Sequence, residues 1–326
     1  MEKVVWGIAG AGDVCENKSA PAMYKIAHSE VKTVMRRNAA KAQDFAFRHG
    51  IPNFTTNYDD LLNDPDINAI YIATPPASHA ELAIKAAKAG KAVYVEKPMA
   101  NTLEECKAMI EACHIAKVPL FVAYYRRALP GFLKVKELIE IGAIGEVRTV
   151  NIQMYKALTE RDLNNDLTNW RVDPTIAGGG YFHDLASHQF DYLDYLFGKI
   201  TQANGIAANQ AHVYKSDDVV TATFRFENGV VGSGMWLFTA DSCSEKDTIT
   251  IVGSQGEITF NCFGYPMLIE LKNALNGTQK FEFCHDQPIQ QSLVQLIVDE
   301  LRGQGVAPST GITGIRTSWV MDQITH

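Results

Sequence analysis

Over its first ~120 residues this chain alternates short apolar runs with amphipathic stretches, a rhythm that restricts it to strand–helix–strand units and a parallel sheet. Val4 to Ala9 reads as a buried strand and Val31 to Met35 as a second. Ala39 to His49 has helical spacing and stops at Gly50, a C-terminal helix signal. Ala69 to Ala73 is a third strand, His79 to Ala89 a helix ended by Gly90, and Lys91 to Val95 another strand. Thr102, with Glu105 three residues on, starts a helix in a capping-box pattern. Leu120 to Ala123 closes the set, and a shorter strand is expected near Phe54.

The pattern then changes. Phe132 to Ile141 reads as a helix, Val147 to Tyr155 as a long strand, and Asn164 to Gly180 as an irregular segment rich in Asp, Asn and Gly. Tyr181 to Phe197 is an aromatic-rich helix. From Val213 to Phe260 apolar and polar residues alternate between turn signals, which predicts a run of antiparallel strands. Arg316 to Ile324 reads as a terminal helix. The expected fold is α/β, with a nucleotide-binding domain over 1–123 and an α+β domain over 124–326 carrying a large, open, mostly antiparallel sheet. A sheet face without helices would favour a homodimer or homotetramer through that second domain.

Composition narrows the partners. The 326 residues are 46% hydrophobic and carry a formal net charge of −7, which gives no bulk attraction for nucleic acid or an anionic membrane. Six cysteines lie scattered without a Cys-x-x-Cys pair, unlike a disulfide scaffold or a zinc site. With no leader pattern and no apolar run long enough to span a bilayer, a cytoplasmic location is expected.

Five segments carry chemistry. The first is Gly7-Ile8-Ala9-Gly10-Ala11-Gly12-Asp13-Val14, directly after the first strand; a Gly-x-Gly turn admits a pyrophosphate and aims a helix N-terminus at it, as in a Rossmann domain. The second is an absence. An NAD-type fingerprint puts a carboxylate at the end of the second strand, but here it ends in Arg36 and Arg37, whose guanidiniums suit a 2′-phosphate and so favour NADP over NAD. The third is Ala73-Thr74-Pro75-Pro76 with His79, either a nucleotide-side loop or a plain turn into a helix capped by Ser78.

The fourth is Glu96-Lys97-Pro98, where a lysine at a strand end points into the same crevice and can bind or polarise a substrate oxygen; alone, it reads equally as a surface ion pair with Glu96. The fifth is Gly178 to Asp191. On a helix Asp184 and His188 share one face, with Asp191 a turn further on, so the imidazole gains a neighbour to orient it. A metal held by these three residues is the weaker alternative, since no further histidine or cysteine completes a ligand set.

In this order the segments, with Tyr125-Arg126-Arg127 and Trp170-Arg171, resemble the Gfo/Idh/MocA family, the glucose–fructose oxidoreductase and inositol dehydrogenase group, over nearly the whole chain. The resemblance implies that Lys97 is the catalytic or substrate-orienting lysine and that His188 and Asp184 belong to an Asp-x-x-x-His motif, His188 as general acid/base. It implies cofactor contacts along Gly7, Ala9, Gly10, Gly12, Asp13, Val14, Arg36, Arg37, Ala73 to Pro76, His79, Glu96 and Lys97. Tyr125, Trp170 and Arg171 fall on segments that approach cofactor or substrate in relatives. Tyr125 stands where many members have asparagine, and Cys15 where they have a smaller residue.

The implied activity is hydride transfer between NADP and a carbinol or carbonyl carbon of a sugar, cyclitol or polyol. Two other readings are a hydrolase or isomerase that retains NAD, and a non-enzymatic cofactor sensor. A sensor has no need of the Lys97 and His188 pair.

Overall fold

A computed structural model describes residues 1–164, 169–284 and 288–325. Residues 165–168 of the anticipated irregular segment, and the terminal His326, lie outside the described residues. Contacts divide the chain into two units: Met1–Ala128 with Asp286–Ile315, and Leu129–His285 with Arg316–His326. The boundary thus falls after Ala128 rather than near Ala123, and a late segment returns to the first unit. Arg127 donates to the Pro308 carbonyl at 3.2 Å within that unit, one of the bonds that hold the late segment there.

The first unit opens with strand β1 (Val4–Ala9), followed by a π-helical turn at Cys15–Ser19 that runs into helix α1 (Ala20–Tyr24). Then come β2 (Ser29–Met35), α2 (Ala39–His49), β3 (Asn53–Thr55), α3 (Tyr58–Asn63), β4 (Ala69–Ile72), α4 (His79–Lys88), β5 (Ala92–Val95), α5 (Leu103–Ala116) and β6 (Leu120–Val122). All neighbouring pairs are parallel, in the order β3-β2-β1-β4-β5-β6. Every residue of β4 and β5 is buried, which is why these strands read as apolar runs and not as alternation. The order reverses between β2 and β4 on either side of β1, so a crevice opens beyond the carboxyl ends of β1 and β4. Thr102 and Glu105 form the anticipated capping box at the start of α5.

The second unit contains α6 (Pro130–Glu140), β7 (Val147–Ala157), α7 (Glu160–Leu163), α8 (Pro174–Ala177), α9 (Gly180–Phe197), β8 (Ile200–Ala208), β9 (Val219–Phe226), β10 (Val231–Ala240), β11 (Lys246–Gly253), β12 (Gly256–Phe260), β13 (Met267–Asn273) and β14 (Gly277–Phe283). The strands form one sheet in the order β14-β13-β12-β11-β7-β10-β9-β8. It is antiparallel throughout except where β7 lies parallel to β10. Two further helices, α10 (Gln291–Leu301) and α11 (Gly311–Thr325), complete the chain.

Aromatic packing fixes α9 on one face of this sheet. Phe182 and Phe190 lie 5.1 Å and 5.5 Å, centroid to centroid, from Trp236 of β10, whose indole N–H donates to Gln189 at 2.7 Å. The opposite face carries Asn151, Thr221, Thr223, Ser233, Thr248 and Thr250 among scattered exposed Val231, Met235 and Val252. That face mixes hydroxyl-bearing and apolar side chains, the exposed Ile206 and Leu268 among them. Among the described residues no helix is long and apolar enough to cross a membrane.

Candidate active site

In the first unit, the chain leaves β1 at Gly10, whose φ of +87° favours glycine. A Cβ there would stand 2.6 Å from Thr74 Cγ2 and 2.9 Å from the Thr74 amide nitrogen, so glycine lets the turn after β1 lie against the loop after β4. A Cβ on Gly12 would meet nothing nearer than the Gly10 carbonyl oxygen at 3.8 Å. That bare backbone leaves room for a pyrophosphate, and a dinucleotide cofactor fits. Gly7 packs inside β1 against Ile67 and Ile70, and Ala9 is fully buried, so both act through the core. Asp13 is exposed and Val14 half-buried where the helix begins. Cys15 is enclosed by the π-helical turn, and burial pushes its thiol up to about 12, leaving it inert.

At the end of β2, Arg36 is half-buried and Arg37 exposed. Among the described residues neither guanidinium has a hydrogen bond or ion pair. Ala73, Thr74 and Pro75 are half-buried, and Pro76 is buried. Ser78 does not cap α4; its hydroxyl donates to Thr74 Oγ1 at 2.7 Å and stiffens the loop.

His79 is fully buried. Its Nε2 lies 2.8 Å from the Thr74 carbonyl oxygen, and its Nδ1 lies 3.1 Å and 3.3 Å from those of Pro98 and Met99. The ring therefore joins the loop after β4 to the segment after Lys97 from beneath, instead of presenting a nitrogen to the crevice. Burial holds its pKa below the usual histidine range, against the pull of these carbonyls. Both ring nitrogens face carbonyl acceptors, so a neutral ring, with one N–H, donates to one side of this bridge, the side being set by its tautomer.

Glu96 lies at the end of β5 and is buried. Its carboxylate accepts from the Tyr71 hydroxyl at 2.6 Å, from Gln290 Nε2 at 2.5 Å and from the Lys97 backbone N–H at 3.2 Å. The Tyr94 hydroxyl donates to the other end of Gln290 at 2.8 Å. Burial, then the charge of Glu96, pushes both tyrosine hydroxyls well up, so they remain donors. Lys97 follows this clamp, half-buried, with a cis peptide to Pro98. Tyr125 is buried under the Arg126 guanidinium, 5.2 Å from its ring centroid.

In the second unit, Arg171 places its guanidinium 4.6 Å from the centroid of the Trp170 ring and its Nε 3.4 Å from Asp184 Oδ2. Two of the three glycines before Tyr181 are crowded, and Gly178 has a φ of +78°. A Cβ on Gly179 would fall 1.8 Å from His183 Nδ1, and one on Gly180, at φ +68°, 2.4 Å from Ser216 Oγ. On α9, Asp184 is half-buried, while His188 and Asp191 are buried. The His188 ring meets Phe263 at 6.0 Å and 72°.

Three features escaped the sequence reading. Asp162, only 4% exposed, accepts from the Thr159 amide and hydroxyl at 2.8 Å and 2.7 Å, from Asn169 at 2.8 Å and from Tyr181 at 2.9 Å. It braces the segment that carries Trp170 and Arg171. The Thr159-x-x-Asp162 spacing was a legible capping signal. Gln290 and the pair Asp247/Phe263 carried no local signal. Among the described residues no group of three or more histidine, cysteine or carboxylate side chains is arranged for a metal ion.

Two family descriptions match the chain. The Gfo/Idh/MocA oxidoreductase family, with an NAD-binding Rossmann fold, covers residues 4–124. The C-terminal domain of the same family covers 132–259. The chain is 38% identical to Oxidoreductase P35 of Formosa agariphila, over 98% of each protein. It is 34% identical to levoglucosan dehydrogenase of Pseudarthrobacter phenanthrenivorans, over 71% of this chain and 64% of that protein. A solved levoglucosan dehydrogenase in complex with NADH and levoglucosan superposes with a TM-score of 0.86 at 26% identity, covering 99% of this chain and 96% of that one.

Proposed function

The chain belongs to the Gfo/Idh/MocA family of oxidoreductases, and from that premise we propose that it is an NAD(P)-dependent dehydrogenase acting on the carbinol or carbonyl carbon of a sugar or related polyol. The observation that carries this reading is Lys97, held at a strand end beside the clamped Glu96 carboxylate, together with the Asp184/His188 face of α9. The sequence resemblance implies that both belong to the family's site motifs. The sugar class rests on relatives such as levoglucosan dehydrogenase.

In this proposal Lys97 binds the reacting oxygen and stabilises charge on it. His188 takes the proton when a hydroxyl is oxidised and returns it when a carbonyl is reduced. Asp184, tied to Arg171, holds the substrate and keeps the imidazole in place. The bare backbone at Gly10 and Gly12 would hold the cofactor's pyrophosphate, and Tyr125 and Trp170 would border its nicotinamide end. When bound, the nicotinamide supplies or accepts the hydride.

We propose NADP as the preferred form. No carboxylate stands at the end of β2, where Arg36 and Arg37 are free to meet a 2′-phosphate. The NADH found in the levoglucosan dehydrogenase complex argues the other way. Titration with NADPH and NADH side by side, followed by nicotinamide fluorescence, decides between them. Tighter NADPH binding is expected, weakened in Arg36→Ala while NADH binding is unchanged. Equal or stronger NADH binding removes the arginine argument, and no binding of either overturns the whole reading.

A further inference from the structure

The connection between β12 and β13 is built in an unusual way for a surface loop. Polar side chains impose its shape, beside the burial of Cys262. The carboxylate of Asp247, on β11, accepts three successive backbone N–H groups: Cys262 at 3.0 Å, Phe263 at 2.5 Å and Gly264 at 2.8 Å. Charge-assisted bonds of this kind are about twice as strong as neutral ones, so one residue fixes the backbone around Phe263. Asn261 closes the neck, accepting from the Leu268 amide at 2.6 Å and donating to the Pro266 carbonyl at 3.0 Å.

This framework aims one aromatic ring. Phe263 is half-buried, so part of it stays accessible, and its ring meets that of His188 at 6.0 Å and 72°. A phenylalanine serving only the core would be enclosed, as Phe260 is three residues earlier. Here a rigid, partly open apolar surface lies directly beside the imidazole assigned to proton transfer.

We propose that Phe263 is a specificity-determining residue: it forms an apolar wall at His188 that packs against the C–H face of a cyclic sugar or cyclitol, and Asp247 is the positioning residue that holds it there. The inference rests on the function proposed above and names its substrate class. A ring-shaped polyol has one side rich in C–H groups, and a flat aromatic ring matches that side while the hydroxyls meet Asp184 and Arg171. An open-chain polyol has no such persistent face, so the wall selects for the cyclic form.

The test uses the full chain loaded with NADPH or NADH and three probes: levoglucosan, D-glucose and myo-inositol. Saturation-transfer NMR reads binding without turnover, and steady-state assays of the probes that react read KM and kcat. Phe263→Ala and Phe263→Leu are expected to raise KM for the best cyclic probe about tenfold or more, with kcat changed less than about threefold and cofactor affinity unchanged. Phe263→Tyr keeps the ring and restores KM to within about threefold. Asp247→Asn shifts KM in the same direction as Phe263→Ala. Binding without any turnover in the parent, lost in Phe263→Leu, would sink the dehydrogenase reading while sustaining the wall. KM within about twofold in both Phe263→Ala and Phe263→Leu overturns the wall, as does failure of the parent to bind any of the three probes. If Phe263→Ala does not fold, the comparison of Leu with Tyr still decides.

Discussion

Lys97 follows a carboxylate that is already engaged. Glu96 accepts from Tyr71, Gln290 and the lysine's own amide, so the acid beside the lysine acts first as a backbone anchor. Lys97→Ala and His188→Ala are each expected to lower kcat by ~10²-fold or more in a nicotinamide-linked assay, with cofactor affinity largely retained. Full activity in either variant removes its assigned role. His79 gives a pH signature of another kind. Its folded pKa is depressed below the value of about 6.5 that the unfolded chain shows. The unfolded chain therefore takes up the proton first, and the stability contributed by the neutral ring is complete above pH ~6.5 and lost as pH falls through the depressed folded value. Chemical denaturation at pH 7, 6 and 5 is expected to show a falling midpoint, with a shallower fall in His79→Gln. The sequence showed His79 following the two prolines but not which way it faced, because spacing cannot tell a ring aimed at a crevice from one bridging two loops beneath it.

Among the elements, what could be read depended on how a strand is wetted. β1, β4 and β5 bury nearly everything and announce themselves as apolar runs, and β9 and β10 alternate cleanly because one face is packed under α9. The edge strands β8 and β14 expose most of their residues, so neither pattern survives in their sequences. Asp247 and Phe263 are 16 positions apart, and only the register of β11 against β12 brings them together. Asp162 belongs to this scale, since it binds a whole segment and not a single neighbour. Asp162→Asn exchanges an acceptor for an amide donor opposite Asn169 and Tyr181, and is expected to cost about 2–4 kcal/mol in chemical denaturation while raising substrate KM through Trp170 and Arg171. Thr159→Ala, which removes one donor and one cap, should cost about 1 kcal/mol. An unchanged KM in Asp162→Asn would confine the residue to stability.

At the scale of the whole chain, the parallel-sheet unit is not contiguous. Residues 1–128 contain every strand of its sheet, yet α10 packs on α1 and on the turn at Tyr125–Ala128, and Gln290 completes the Glu96 clamp. A 1–128 fragment is expected to show broad amide NMR signals and weak nicotinamide binding. Joining it by a flexible linker to 286–315 should restore dispersed signals. A well-folded, cofactor-binding 1–128 fragment would show the late segment to be dispensable. The reach of that clamp also orders events in time. Gln290 lies 194 positions beyond Glu96, so the carboxylate next to Lys97 stays one partner short until nearly the whole chain has been made. At ~5–20 residues per second, that delay is on the order of ten seconds or more. A chain interrupted within residues 129–285 would therefore carry every strand of the parallel sheet and the glycine turn, with the Glu96 carboxylate lacking its Gln290 donor.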